Sequence, residues 1–361
     1  MENYANIDKN MVAEATIGDA QVVWYDVRKA PFSLYGLFNP ESEEIFRRLP
    51  KEVAESVSEG AAALAENPAG GKVRFSTNSP YIAIRAKYRS VARFSLKNLV
   101  ASAGFDLYVD GEFGSRYMKE FRPPYDLEDS YEQIIRLDGE SMRSFTINFP
   151  THSVVERLEV GLKPDAKVGE HSYPYRKKLP VVIYGSSIVH GTGASHPGMI
   201  YPSIISRELN LDVLNLGFSG KALGEEPMAE WISTLPMSVF VCDYDHNTPS
   251  HEHLEKTHYR FYEIVRKKNP SVPYVMITRP NFWTCSDAAD EIMKRREVIM
   301  RSYLKARENG DKNVYFVDGF DFWVAPHTYD FSVDRLHPND AGYIRMADSI
   351  GTLIRYILES K

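Results

Sequence analysis

The chain has 361 residues, longer than a single hydrophobic core usually grows, so two domains are the first expectation. Its 43 Lys and Arg against 49 Asp and Glu leave a formal net charge of -6, which excludes the electrostatic footprint of a nucleic-acid-binding protein; the one basic run, Arg176 to Lys178, is isolated and reads as a solvated linker. The two cysteines, Cys242 and Cys285, are too few for a disulfide framework and form no CxxC pair, which excludes a disulfide scaffold and a thiol redox motif.

From Met1 to Ile17 charged residues alternate with single apolar ones, without the continuous apolar stretch of a signal peptide. No later segment has the apolar length of a membrane span, so a cytoplasmic location is expected. A helix is expected from about Pro50 to Ala65. Short runs rich in β-branched and aromatic residues then follow at Val73 to Thr77, Tyr81 to Tyr88, Phe105 to Val109, Ile134 to Leu137, Arg143 to Phe149 and Arg157 to Leu162. Turn signals separate them, among them Asn78-Ser79-Pro80, Asp110-Gly111 and Asp138-Gly139. This spacing predicts an antiparallel β-sandwich of the jelly-roll kind over residues 1–165. Within the second run Ile82, Ile84 and Ala86 share one face while Ala83, Arg85 and Lys87 share the other.

After a linker from Asp165 to Leu179 the pattern changes. Continuous apolar runs at Val181 to Tyr184, Val213 to Leu216, Val239 to Cys242, Tyr274 to Ile277 and Val314 to Val317 alternate with helical stretches such as His253 to Lys268, Glu291 to Ala306 and Ala341 to Leu358. Strands without alternation are buried on both faces, so residues 166–361 are expected to form an α/β domain, a parallel sheet flanked by helices. Ligands of such sheets bind beyond the carboxyl ends of the strands, where the chemistry must be sought.

The first strand runs into Gly185-Ser186-Ser187-Ile188-Val189-His190-Gly191, a turn that can present a serine hydroxyl beside main-chain N–H groups. The second ends in Asn215-Leu216-Gly217-Phe218-Ser219-Gly220, whose glycines suit either a substrate-facing N–H or a tight strand exit. The third leads to Asp245-His246-Asn247-Thr248-Pro249, where the Asn247 amide can donate to a developing negative charge or serve only as a turn residue. Near the C-terminus, Asp334-Arg335-Leu336-His337-Pro338-Asn339-Asp340 places a carboxylate and an imidazole close enough for Asp334 to hold one ring nitrogen of His337 while the other takes a proton from a serine. Pro338 keeps helix from running back through His337, and Asn339 or Asp340 can cap the helix that follows.

In this order the four segments resemble the SGNH hydrolases, the GDSL-like family of lipases and acylhydrolases. Gly185-Ser186-Ser187 resembles the first block, usually Gly-Asp-Ser; Gly220 matches the glycine of the second; Asp245-His246-Asn247-Thr248 resembles the third, usually Gly-x-Asn-Asp; and Asp334 with His337 matches the Asp-x-x-His of the last. Ser186, Asp245 and Thr248 depart from the usual residues. The resemblance implies a flavodoxin-like three-layer fold, a catalytic triad of Ser187, His337 and Asp334, and an oxyanion hole from the N–H groups of Ser187 and Gly220 and the amide of Asn247. Tyr184 to Ile188 and Asn215 to Gly220, with Ala194-Ser195 and Pro197-Gly198, resemble a subgroup in which a β-sandwich precedes the hydrolase domain. That subgroup implies an esterase acting on a small acyl ester of a carbohydrate, without metal or organic cofactor.

Other readings compete. His251, His253 and His258 cluster, but their spacing is not HExxH and a solvated helix start explains them. A catalytically silent carbohydrate-binding protein, or an acyltransferase using the same triad, remains an alternative. His190 and His246 can line the pocket or be structural, and Phe282, Trp283, Phe322 and Trp323 can stack on a sugar or fill the core. The expected partner is a small-molecule or glycan ester, with homo-oligomerisation open.

Overall fold

The computed structural model describes residues 17–18, 20–280, 288–323 and 328–360. Trp283, Phe282 and Cys285 lie outside the described residues. The first half contains two antiparallel sheets. One has the order β1-β9-β4-β7, formed by β1 (Val23–Asp26), β4 (Tyr81–Ser90), β7 (Ser130–Arg136) and β9 (Val154–Leu162). The other has the order β10-β3-β8-β5-β6, with β2 (Ser33–Tyr35) also on β3 (Lys72–Thr77); its remaining strands are β5 (Phe105–Gly111), β6 (Gly114–Phe121), β8 (Arg143–Asn148) and β10 (Val168–Gly169).

Ile82, Ile84 and Ala86 of one sheet pack with Val73, Phe75, Phe105, Leu107, Phe145 and Ile147 of the other, which makes a sandwich core. The outer face of the second sheet is polar yet covered: Lys72, Arg74, Ser144, Asn148 and Asp106 are all buried. The expected helix from Pro50 to Ala65 is two helices, α1 (Lys51–Val57) and α2 (Glu59–Ala65). Ser58 between them is fully extended and its side chain accepts from the N–H of Ala61, so its capping preference breaks what periodicity alone would join. A short helix α3 (Leu99–Ala103) follows β4 after the connection 91–98.

The second half is a five-stranded parallel sheet in the order β12-β11-β13-β14-β15, from β11 (Val181–Gly185), β12 (Val213–Gly217), β13 (Val239–Asp243), β14 (Tyr274–Ile277) and β15 (Val314–Val317). Helices cover both faces. Val182, Tyr184, Phe240, Cys242 and Met276 pack under α6 (Glu226–Ile232), α7 (His251–Lys268) and α8 (Ala289–Glu308), while Val181, Ile183, Val241, Val275 and Ile277 pack under α5 (Tyr201–Leu209) and α9 (Asp340–Glu359). The layers therefore divide by strand alternation, and the apolar runs are continuous because both sides are covered. The chain leaves β11 to one side for β12 and to the other for β13, so the crevice at the switch point opens at their carboxyl ends. Among the described residues no helix is long and apolar enough to cross a membrane.

Candidate active site

Gly185 closes β11 where a side chain has no room, since a Cβ there would meet the carbonyl oxygen of Asp243 at 2.2 Å. The chain then turns into the one-turn helix α4 (Ser187–His190). Ser186 caps it: its Oγ accepts from the N–H of Ile188 at 3.2 Å and its side chain is buried. Serine and aspartate are both good helix caps, so Ser186 in place of the usual Asp keeps this turn's local chemistry. Ser187 holds the first helical position, where an N–H has no intrahelical acceptor.

Ser187 Oγ lies 2.9 Å from Nε2 of His337, and Nδ1 of His337 lies 2.7 Å from Oδ2 of Asp334. Oδ1 of Asp334 accepts from the N–H groups of His337 at 2.7 Å and Leu336 at 2.9 Å. Partial burial pushes this carboxyl up, but the hydrogen bonds from the His337 N–H, its ring and the Leu336 N–H outweigh burial and hold it below the usual carboxylate range. An ionised carboxylate only accepts, so the proton sits on Nδ1 and the Nε2 lone pair faces the serine hydroxyl. The loop is pinned by a hydrogen bond from Val333 N–H to His337 O at 2.9 Å and by the Asn339 cap on α9, whose Oδ1 accepts from Gly342 N–H at 3.1 Å.

Gly220, at φ 70°, donates its N–H to Oδ1 of Asn247 at 3.2 Å. The amide nitrogen of Asn247 donates one hydrogen to Phe218 O at 2.7 Å, which leaves its second hydrogen for another acceptor. Asp245 and Thr248, the two departures flanking Asn247, build this loop. Arg295 donates to Asp245 O at 2.8 Å and to Thr248 Oγ1 at 2.7 Å, while Oδ2 of Asp245 accepts from Arg279 N–H at 2.9 Å. Burial pushes the Asp245 carboxyl up, and Arg279 opposes it. His246 lines the cleft beside Asn247, and neither of its ring nitrogens has a hydrogen-bond partner among the described residues.

Ser187, Gly220, His246, Asn247 and His337 line one cleft of about 580 Å³, together with Phe94 to Lys97 from the sandwich. His190 is not part of it. Its ring is buried, with Nε2 bonded to Thr151 O at 2.8 Å and Nδ1 to Ser219 Oγ at 3.0 Å, and it stacks on His152 of the sandwich at 4.1 Å. Burial pushes both imidazoles well below their ordinary range, so this stack is neutral. Trp323 and Phe322 are also corrections to the pocket-lining reading: both are core residues under α9, and the Trp323 indole N–H points at Gly342 O, 3.5 Å away. The three clustered histidines diverge: His251 bonds Glu291 at 2.6 Å, His253 bonds Leu223 O at 2.9 Å, and His258 stacks on Tyr244.

Arg48, which nothing in the sequence singles out, is buried and donates to Leu64 O, Asn67 O, Asn215 O and Gly217 O at 2.6 to 3.1 Å. It ties α2 to the exit of β12, and burial lowers its guanidinium to about 9. Asp106 also joins the two halves. Its Oδ2 accepts from His196 Nδ1 at 2.6 Å and from the Gly198 N–H, and its Oδ1 from Asn148 at 2.6 Å, which joins the sandwich to the segment before α5.

Residues 177–355 match the GDSL-like lipase/acylhydrolase family, and residues 22–168 match the N-terminal domain of SGNH-hydrolase-type esterases named GxDLY. The chain belongs to the GDSL-like lipase/acylhydrolase family, in the subgroup whose hydrolase domain follows a β-sandwich, and it is a carboxylic ester hydrolase. A candidate GDSL-like lipase from Bacteroides ovatus ATCC 8483 is 26% identical, with a TM-score of 0.85 over 94% of this chain and 98% of that one. The salicylyl-acyltransferase SsfX3 of a tetracycline biosynthetic pathway is 21% identical, with a TM-score of 0.73 over 94% of this chain and 96% of that one. An acetyl xylan esterase, Est2A from Butyrivibrio proteoclasticus, is 11% identical, with a TM-score of 0.61 over 94% and 99%. No curated protein matches the chain. Gly104-Phe105-Asp106-Leu107-Tyr108 spells the motif that gives the N-terminal domain its name, and it was the available signal for Asp106.

Proposed function

We propose that the protein is a serine esterase that removes a small acyl group, acetyl in the simplest case, from a carbohydrate, with two domains that meet near the expected boundary at residues 165 and 166 but after β10, which pairs within the sandwich. Ser187 attacks the ester carbonyl while Nε2 of His337 takes the hydroxyl proton. Asp334 holds the ring in the tautomer this requires and stabilises the imidazolium. The tetrahedral oxyanion is held by the N–H of Ser187, the free amide hydrogen of Asn247 and the N–H of Gly220, which exchanges its Asn247 Oδ1 partner for the oxyanion. His337 then gives its proton to the departing alcohol, leaving an acyl-Ser187. Water, deprotonated by His337, attacks the acyl carbonyl and regenerates the serine.

The observation that carries this reading is the continuous relay from Ser187 Oγ to His337 at 2.9 Å and on to Asp334 at 2.7 Å, on the wall of an open cleft. A carbohydrate alcohol is supported by the likeness to Est2A, and acyl transfer is a second reading supported by the likeness to SsfX3. The test is incubation of the purified protein with acetylated xylo-oligosaccharides, with and without an unacetylated sugar acceptor. Free acetate in both cases is the expected result. Acetate appearing only on the added acceptor would replace hydrolysis by transfer, and no deacetylation in either would remove the carbohydrate assignment.

A further inference from the structure

The proposed mechanism uses one side of the cleft and leaves the sandwich side without a task. Phe94 to Lys97 sit in the connection between β4 and α3, closed into a turn by the Lys97 N–H on Phe94 O at 3.0 Å, and all four line the cleft. Phe94 is 56% exposed and Leu96 is 48% exposed, an apolar rim unusual beside so polar a site. The ammonium of Lys97 lies 4.1 Å from the centre of the Phe94 ring and has no carboxylate partner among the described residues. No described residue lining the cleft is Asp or Glu, and the Asp334 carboxylate is already engaged by His337.

Partial burial lowers the Lys97 amine to about 8, so at neutral pH it is still charged but poorly solvated. A cation in that state gains most from an anion delivered by the ligand, and one ammonium matches the single charge of a carboxylate and leaves a phosphate dianion half-compensated. We propose that Lys97 is a specificity determinant, which selects esters whose alcohol portion carries a carboxylate and seats the adjoining ring against Phe94 and Leu96. This rests on the serine-esterase reading, in which the acyl group is too small to carry the charge itself.

The test compares 4-(acetoxymethyl)benzoate with its primary amide, which has the same single ester insulated from the ring by a methylene and lacks the charge, using wild type, Lys97→Met, Lys97→Arg and Ser187→Ala. The ratio of kcat/KM between the two esters should favour the carboxylate about tenfold at low salt, mainly through KM, which is the lower end of a charged hydrogen bond's effect. Lys97→Met should bring the ratio near one, Lys97→Arg should keep most of it, and added salt should shrink it. Turnover that depends on Ser187 but shows no charge preference, or a preference that survives Lys97→Met, overturns the role of Lys97 alone. Turnover of neither ester, or turnover that persists in Ser187→Ala, would instead bring down the esterase reading and this inference with it.

Discussion

His258 sits on α7 with 1% of its surface exposed, stacked on Tyr244, and neither ring nitrogen has a hydrogen-bond partner among the described residues. Burial depresses its pKa from 6.5 to about 3. Between those values the unfolded chain binds a proton that the folded chain refuses, so stability falls as pH drops below about 6.5 and levels off below about 3. His258→Phe removes that linkage along with two unsatisfied polar atoms. Its melting temperature relative to wild type should therefore rise between pH 8 and pH 5, and a difference that stays constant across that range would contradict the assignment. Asp243 has the opposite sign. Burial lifts its carboxyl to about 8, so it favours the fold most at low pH and loses that contribution as pH rises through about 8. The comparison with the variant isolates His258 from such background.

At the scale of elements, catalysis is assigned to short loops held by rigid neighbours. Arg335 adopts a left-handed φ of 69°, a conformation a non-glycine residue keeps only when its surroundings impose it, and it lies between the proposed triad's carboxylate and imidazole. The loop of Asn247 is fixed from outside by Arg295 of α8. If the Asn247 amide holds the oxyanion, Asn247→Ala should lower kcat about a hundredfold in protein whose circular dichroism is native. An unchanged kcat would remove Asn247 from that role. The parallel strands were legible because burial on both faces writes continuous apolar runs, and the sandwich strands between Lys72 and Leu162 because alternation and turn residues mark them. Gly114–Phe121 was not legible: this edge strand is largely exposed, and Ser-Arg-Tyr-Met-Lys-Glu carries neither pattern. The helices Tyr201–Leu209 and Glu226–Ile232 are not legible either, each short and opening with a proline in its first turn.

At the scale of the whole molecule, the sandwich is part of the candidate site. It reaches the hydrolase domain through Arg48 on the β12 exit, Asp106 on His196 and Gly198, and His152 stacked on His190, and it contributes Phe94 to Lys97 to the cleft. The second sheet buries its polar outer face in part through Asp106, and no local pattern reveals these contacts because each pairs residues tens of positions apart or more. Ser187, Gly220, Asn247, Asp334 and His337 could be singled out because each follows a strand or precedes a helix in a recognisable block, whereas their geometry depends on the crevice at the sheet's switch point.

The most direct measurement is hydrolysis of p-nitrophenyl acetate by the wild type, Ser187→Ala and His337→Ala, all checked for folding. Turnover by the wild type that both substitutions reduce by several orders of magnitude is predicted, since members of such a triad act as a unit. Wild-type turnover that survives Ser187→Ala would contradict the assignment of Ser187 as the nucleophile.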